Sequence, residues 1–322
     1  MKILVIGGTI FIGKRAVRML RDAGHDVAVL HRGDHEPDDL ADVTHIHGDA
    51  KDLGSVDVSR FSPDVVWHNM AFGRRDADEL VAKFGERMRY VMTSSCDVYR
   101  SYGALHKGVA TEPVPSDETA PVRDERYPYR GQIPGMDDYE KLDAEEILLG
   151  VGATVLRWPM CYGPNDGQRR EWYVLRRIHA GRKRIPVGSG QWLATKGYAE
   201  DIANGCKLAI ENENVAGEIF NLGEKLVYPY GRWTEMIVEA SGADVELVRV
   251  GDDELPGDMG LTGIVPQHFV TDCSKARRVL GYTDTDHMEA LKTTVEWHLA
   301  HPPQQQDEPD WSADDEALEH AL

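Results

Sequence analysis

Gly7, Gly8 and Gly13, in the run Gly7-Gly8-Thr9-Ile10-Phe11-Ile12-Gly13, stand between the apolar segment Lys2 to Ile6 and a helical pattern from about Phe11 to Ala23. Between a strand and a helix, such glycines have a chemical use. Gly7 permits a tight turn, the backbone N–H groups along the run face a pyrophosphate with the helix dipole behind them, and Gly13 lets the helix approach the sheet. The run reads as the phosphate-binding turn of a dinucleotide site. The next strand, Asp26 to His31, ends in His31-Arg32-Gly33. An acid there would bind a ribose 2′-hydroxyl, whereas a cation without one tolerates a 2′-phosphate, so the expected cofactor is NADP or NAD, with a slight preference for NADP. The alternative for Arg32 is a pairing with Asp34. After the third strand, Asp49 and Ala50 place a carboxylate either for the adenine amine or as an N-cap of the turn that follows.

A second group of side chains has phosphate chemistry. Gln168-Arg169-Arg170, Arg176, Arg177 and Arg182-Lys183-Arg184 crowd one stretch of an otherwise acidic chain. Arg169 and Arg170, with Lys196 near Tyr198, are the candidates for holding an anionic substrate, since guanidinium groups grip phosphate through paired N–H donors. A solvated helix face is the alternative. His35, His45, His47 and His68 lie close in sequence, but only His45 and His47 share a strand face, so no metal site is expected. Cys96, Cys161, Cys206 and Cys273 are far apart, without the pairing of a zinc site, and read as reduced core thiols. The sequence has no Gly-x-Ser-x-Gly elbow, Walker lysine loop or zinc-protease motif, which removes hydrolase and kinase chemistry.

These groups need a scaffold to bring them together. The chain has 322 residues, 36 basic and 55 acidic, for a net charge of −19. That length supports one large α/β unit or two joined domains. The acid excess argues against nucleic acid and anionic membranes as partners, and no apolar run approaches the ~20 residues of a membrane span. Met1 runs straight into a strand, leaving no room for a signal peptide, so a cytoplasmic location is expected. Strand-like runs at Lys2 to Ile6, Asp26 to His31, Val43 to His47, Val65 to Met70, Tyr90 to Ser94 and Thr154 to Trp158 alternate with helical stretches. Such alternation predicts an α/β fold: a Rossmann-type doubly wound parallel sheet with a smaller C-terminal substrate lobe. The boundaries are 1–160 for the dinucleotide-binding domain, with a helix near 198–212 returning to it, 161–301 for the lobe, and 302–322 for an acidic, flexible tail that Trp311, Leu318 and Leu322 could instead dock. Asp137 to Leu149 reads as an amphipathic helix feeding the strand at Thr154.

The residues Gly-Gly-Thr-x-Phe-Ile-Gly, Gly48-Asp49, His68 to Ala71, Ser94-Ser95-Cys96-Asp97-Val98-Tyr99, Arg157 with Tyr162-Gly163-Pro164, and Tyr198 to Ala203 resemble the extended short-chain dehydrogenase/reductases, the NAD-dependent epimerase/dehydratase family, over about residues 1 to 300. Ala180-Gly181-Arg182, Ile185-Pro186-Val187, Gln267-His268-Phe269 and Leu280-Gly281-Tyr282 most resemble its atypical branch, which includes chloroplast stem-loop RNA-binding proteins. The resemblance implies an NAD(P)-dependent epimerase, dehydratase or reductase acting by hydride transfer on a nucleotide-sugar or related anionic sugar. The alternative it implies is a non-catalytic dinucleotide sensor or an RNA-associated protein. It further implies Ser95 as the polarising hydroxyl, Tyr139 as acid/base, Lys141 as ribose and electrostatic partner, and cofactor contacts at Met70, Ala71, Ser94, Lys141 and Pro159. A homodimer through a helix bundle that includes residues 137–149 is implied as well, with the alternative that the helix's apolar stripe is intrachain core.

The sequence departs from this family at two points. The family's Tyr-x-x-x-Lys puts both side chains on one helix face, whereas Tyr139-Glu140-Lys141 would set them about 200° apart on a helix. Asp137 holds the family's Tyr position, and Glu145, four after Lys141, keeps the Lys in register. Either the helix starts late and Tyr139 reaches the site from before it, or the ordinary mechanism is lost. Trp158-Pro159-Met160-Cys161 also lacks the Asn that sugar epimerases often carry before Tyr-Gly-Pro, which weakens the nucleotide-sugar expectation.

Overall fold

A computed structural model describes residues 1–304 and 310–321. Its strands are β1 (Lys2–Ile6), β2 (Asp26–His31), β3 (Thr44–His47), β4 (Val65–His68), β5 (Arg89–Ser95), β6 (Thr154–Trp158), β7 (Met160–Tyr162), β8 (Arg184–Val187), β9 (Lys196–Tyr198), β10 (Ile219–Asn221) and β11 (Glu246–Arg249). Its helices are α1 (Phe11–Asp22), α2 (Arg74–Phe84), α3 (Arg100–His106), α4 (Lys141–Gly150), α5 (Trp172–His179), α6 (Ala199–Glu211), α7 (Tyr230–Ser241), α8 (Ser274–Leu280), α9 (His287–Ala300) and α10 (Ser312–Glu319).

Seven parallel strands form the main sheet in the order β10-β6-β5-β4-β1-β2-β3. A parallel sheet is covered on both faces, so its strands are apolar throughout rather than alternating. Ile3, Leu4, Val5 and Ile6 are accordingly all buried. One cover joins Ile3 and Val5 to Val17 and Leu20 of α1 and Ala203 and Cys206 of α6; the other joins Leu4 and Ile6 to Leu80 of α2 and Leu148 of α4. The strand order reverses between β1 and β4, and the crevice at their carboxyl ends is where such sheets bind ligands. Residues after β6 build the lobe, in which α5, α7 and α9 enclose Tyr162, Trp233 and Leu291, while β8 pairs with β11 and β7 with β9. Both α6 and β10 return to the main sheet. All four cysteines are buried and free, and no helix among the described residues is long and apolar enough to cross a membrane.

Two expectations about elements are corrected. The helix read at 137–149 begins four residues later, at Lys141, because Glu140 is held out of helical geometry as its N-cap, accepting from Leu142 N, while its own N–H donates to Phe72 O at 2.7 Å. The apolar stripe of α4 lies in the chain's own core, with Ala144 and Leu148 buried and Ile147 and Leu149 packed beside them.

The acidic tail is not flexible throughout, since 312–319 form α10 on the lobe. Arg177, fully buried, donates to both Asp314 oxygens at 2.7 Å and to Asp258 at 2.9 and 3.0 Å. Trp311 lies beneath the guanidinium groups of Arg176 and Arg182, at 4.8 and 5.6 Å. Arg177 and Arg182, which seemed available for a phosphate, are thus occupied by Asp314 and Asp315 of the tail, and Arg176 by Asp258. Residues 305–309 and 322 of the tail lie outside the described residues. Replacing Asp314 by Ala leaves buried Arg177 with the Asp258 carboxylate and the Tyr173 carbonyl, and a loss of about 3 kcal/mol is expected in denaturant unfolding, since breaking a buried ion pair strands its partner. A loss under about 1 kcal/mol would mean that α10 contributes little.

Candidate active site

The glycine run forms the floor of the crevice. Gly7 has φ of 78°, and a Cβ there would come within 2.3 Å of Met70 Cγ. A Cβ on Gly13 would stand 2.9 Å from Asn69 Nδ2 and 3.0 Å from Gly7 O. Asn69 Nδ2 donates to Gly7 O at 2.6 Å and Gly7 N to Leu30 O at 3.0 Å, tying the turn to β4 and β2. Thr9 and Ile12 are buried, Ile10 is exposed, and Phe11 opens α1. No side chain caps α1, so its first N–H groups are left for a ligand. A bare backbone cradle at an uncapped helix N-terminus fits a dinucleotide pyrophosphate.

At the far end of the crevice the histidines of β2 and β3 meet. His31 on β2 pairs in register with His47 on β3, and its Nε2 lies 2.8 Å from His45 Nδ1. His31, His45 and Glu36 make a group whose ligand atoms lie within 4.8 Å of one another, and His31 was not among the histidines weighed for a metal from the sequence. The hydrogen bonds assign the protons. His31 Nδ1 accepts from Gly33 N, so Nε2 carries the proton toward His45 Nδ1, and His45 Nε2 donates to Leu40 O. These bonds occupy the ring nitrogens of both His31 and His45. Burial, then the neighbouring His45 and His47, push His31 below the usual histidine range. Arg32 is exposed, with Nε 3.2 Å from Asp34. Asp49 accepts from Lys51 N at 2.9 Å, capping the turn that Ala50 begins.

Ser95, Tyr139 and Lys141 converge at the carboxyl end of β5. The 200° separation does not apply, because Tyr139 precedes α4 and is not on the helix. Its hydroxyl donates to Asp97 Oδ2 at 2.8 Å. Lys141 Nζ lies 5.7 Å from the Tyr139 ring and donates to Ala71 O at 2.7 Å and Thr93 O at 3.0 Å. Burial pushes the Lys141 ammonium down to about 8, against the pull of Asp97, Asp76 and Glu145. Ser95 Oγ accepts from Asp97 N at 3.1 Å. Asp97 also accepts from Tyr129 at 2.9 Å, and burial lifts its carboxyl above the usual range despite both phenols, Arg123 and Lys141.

The corner is held by two buried ion pairs. Arg123 grips Glu140 with both terminal nitrogens, at 2.9 and 2.8 Å, each side chain 1% exposed, which sets the start of α4 and hence both Tyr139 and Lys141. Arg157 grips Glu145 at 3.0 and 2.6 Å. Ser94 donates to the same Glu145 at 2.5 Å, so its hydroxyl points into this brace.

The other expected contacts divide. Met70 lies over Gly7, Ala71 is buried with its carbonyl on Lys141, and Pro159 follows β6 at the sheet's carboxyl edge. Arg169 donates to His301 O at 2.6 Å with its guanidinium near the Trp172 and Trp297 rings, and Tyr198 lies in the lobe core 5.6 Å from Tyr162, so both serve packing. Arg170 donates to Cys161 O at 2.9 Å. Lys196 is buried 4.5 Å from the Trp233 ring and is pushed down to about 8 by that burial. Sequence reasoning missed Asp97, Tyr129, Arg123 and Glu140. Asp97 and Glu140 stood inside the runs Ser94 to Tyr99 and Tyr139 to Lys141 without a role assigned, whereas Arg123 and Tyr129 sit in an irregular stretch with no spacing to mark them.

The NAD dependent epimerase/dehydratase family model matches residues 3–223. The chain is 30% identical to an Arabidopsis thaliana chloroplast stem-loop binding protein of 41 kDa b, covering 87% of this chain and 74% of that one. It is 29% identical to a Corynebacterium glutamicum UDP-glucose 4-epimerase over 92% and 94% of the two. A Thermotoga maritima UDP-glucose 4-epimerase structure aligns with TM-score 0.69 at 21% identity, covering 92% of this chain and 98% of that one. A Bacillus anthracis dTDP-glucose 4,6-dehydratase aligns with TM-score 0.69 at 16% identity, over 94% and 97%. With the glycine turn, the parallel sheet and the matched residues in agreement, the chain belongs to the NAD dependent epimerase/dehydratase family.

Proposed function

We propose that the protein is an NAD(P)-dependent enzyme that oxidises and re-reduces a hydroxyl-bearing carbon of a nucleotide-linked or related anionic sugar. The observation that carries this reading is the convergence of Ser95, Tyr139 and Lys141 beyond the glycine turn. When bound, the dinucleotide supplies or takes the hydride. The chain's own groups do the rest: the α1 N-terminus binds pyrophosphate, Ser95 and Tyr139 orient the reacting hydroxyl, and Lys141 adds positive charge beside them. Arg32, with no acid at position 31, supports NADP over NAD. Arg170 and Lys196 are the remaining candidates for the substrate's anionic part. Association of two copies through α4 belongs to this reading only as an implication of the family.

A screen of UDP-, GDP- and dTDP-sugars against the dinucleotide-loaded protein tests the reading, with cofactor reduction and sugar products followed by absorbance and chromatography. Turnover by at least one supports it, and silence from the whole panel with dinucleotide bound contradicts the substrate class. A second reading, association with RNA, is favoured by the likeness to the Arabidopsis protein. The net charge of −19 opposes it, because RNA affinity draws on clustered cations. Salt-sensitive binding of a stem-loop RNA by the purified protein would support it.

A further inference from the structure

Asp97 has features that a Ser95, Tyr139 and Lys141 site does not need. Its Oδ2 accepts two phenols, Tyr139 at 2.8 Å and Tyr129 at 2.9 Å. Its Oδ1 is buried with no partner among the described residues. The Tyr129 hydroxyl lies 2.9 Å from that of Tyr102, whose ring meets the exposed His106 at 4.6 Å between centroids. A line of O–H groups therefore runs from buried Tyr139 through Asp97 toward the surface. The cations nearby are committed elsewhere, Arg123 to Glu140 and Lys141 to two backbone carbonyls.

We propose that Asp97 is the positioning residue that accepts the reaction's proton through Tyr139: as a substrate hydroxyl is oxidised, its proton passes to the Tyr139 oxygen while the Tyr139 proton passes to Asp97 Oδ2. This rests on the oxidoreductase reading above. The alcohol's C–H bond breaks, its electron pair leaving as hydride to the oxidised nicotinamide dinucleotide, and the C=O bond forms. Asp97 goes from carboxylate to carboxylic acid, and Tyr139 begins and ends as a phenol. The reverse step returns both hydrogens.

The electrostatics agree with this geometry. A phenolate at Tyr139 would face a carboxylate across 2.8 Å, and burial first, then Asp97, hold the Tyr139 pKa well above the ordinary tyrosine value. A proton on Asp97 is easier to hold, since burial lifts its carboxyl. The groups facing Asp97 are Tyr129 and Tyr139, with Tyr102 behind, the Arg123 and Lys141 cations, and the Ser95 hydroxyl on its backbone N–H.

Tyrosinate absorbance, titrated in the wild type, Tyr139→Phe, Asp97→Asn and Asp97→Glu, with and without dinucleotide, tests the proposal. The wild type minus Tyr139→Phe difference is expected to show no tyrosinate up to a pH of about 10. Asp97→Asn should bring it on about one pH unit earlier or more by removing the facing negative charge, and Asp97→Glu should restore it. Tyr139 ionising below the ordinary tyrosine range in the wild type, a comparison that needs no Asp97 variant, overturns the proposal. So does an ionisation that ignores Asp97→Asn. On the panel sugar that reduces the bound dinucleotide, Asp97→Asn should cut kcat by about 100-fold or more with KM within about threefold, and erase the acidic limb of the pH–rate profile. A retained acidic limb overturns the proposal. Failure to bind any dinucleotide would instead sink the functional reading, while the titration still decides the state of Tyr139.

Discussion

Replacing Tyr139 by Phe is expected to lower turnover by about 10²–10⁴-fold, the range for removing a positioned proton-transfer group. Dinucleotide affinity should hold, because the cradle at Gly7 to Gly13 and the Lys141 contacts lie on other atoms. The fold should hold as well, since Asp97 keeps its bond from Tyr129. Steady-state rates with calorimetric dinucleotide binding separate these effects. A variant with wild-type turnover would remove Tyr139 from the chemistry, and one that also lost dinucleotide would make its role structural. The pH profile carries a second signature. Burial brings Lys141 down to about 8, so its positive charge is present below that pH and lost above it. Wild-type turnover should therefore fall as pH rises through about 8.

The largest stability effect is expected at the Arg123–Glu140 pair. Both side chains are 1% exposed, and removing either leaves a buried charge alone, a loss of about 3–5 kcal/mol. Glu140→Ala also removes the N-cap of α4 and the acceptor of Tyr127 N. Denaturant unfolding checks the size of the loss, and a value below about 1 kcal/mol would mean that water reaches the pair. A partly folded Arg123→Ala protein should lose turnover out of proportion to dinucleotide binding, because the start of α4 places Tyr139 and Lys141 while the glycine turn stands on β1.

The sheet was legible because a parallel strand covered on both faces must be apolar along its length, as Ile3 to Ile6 are. The glycine turn was legible because its function is in the backbone, and glycine is how a sequence writes a bare backbone. The start of α4 was not. Periodicity assigns Tyr139 to the helix, but Arg123, in an irregular segment 17 residues before Glu140, holds Glu140 as a cap and releases Tyr139 from helical geometry. The arginines at 176, 177 and 182 read as phosphate ligands because nothing local pairs them. Their partners are distant in sequence, Asp258 about 80 residues away and Asp314 and Trp311 more than a hundred. The histidine group was hidden likewise, since His31 meets His45 through pairing of β2 with β3.

The proposed function stands on a dinucleotide bound at the glycine turn, and the slight preference expected for NADP turns on Arg32, whose Nε lies 3.2 Å from Asp34. Calorimetric titration of the wild type and Arg32→Ala with NAD, NADH, NADP and NADPH tests it most directly. The account predicts saturable binding by the wild type, tighter for the phosphorylated pair. Arg32→Ala should narrow that gap by about tenfold or more, the worth of one charge-assisted hydrogen bond. Failure of all four dinucleotides to bind would contradict the account.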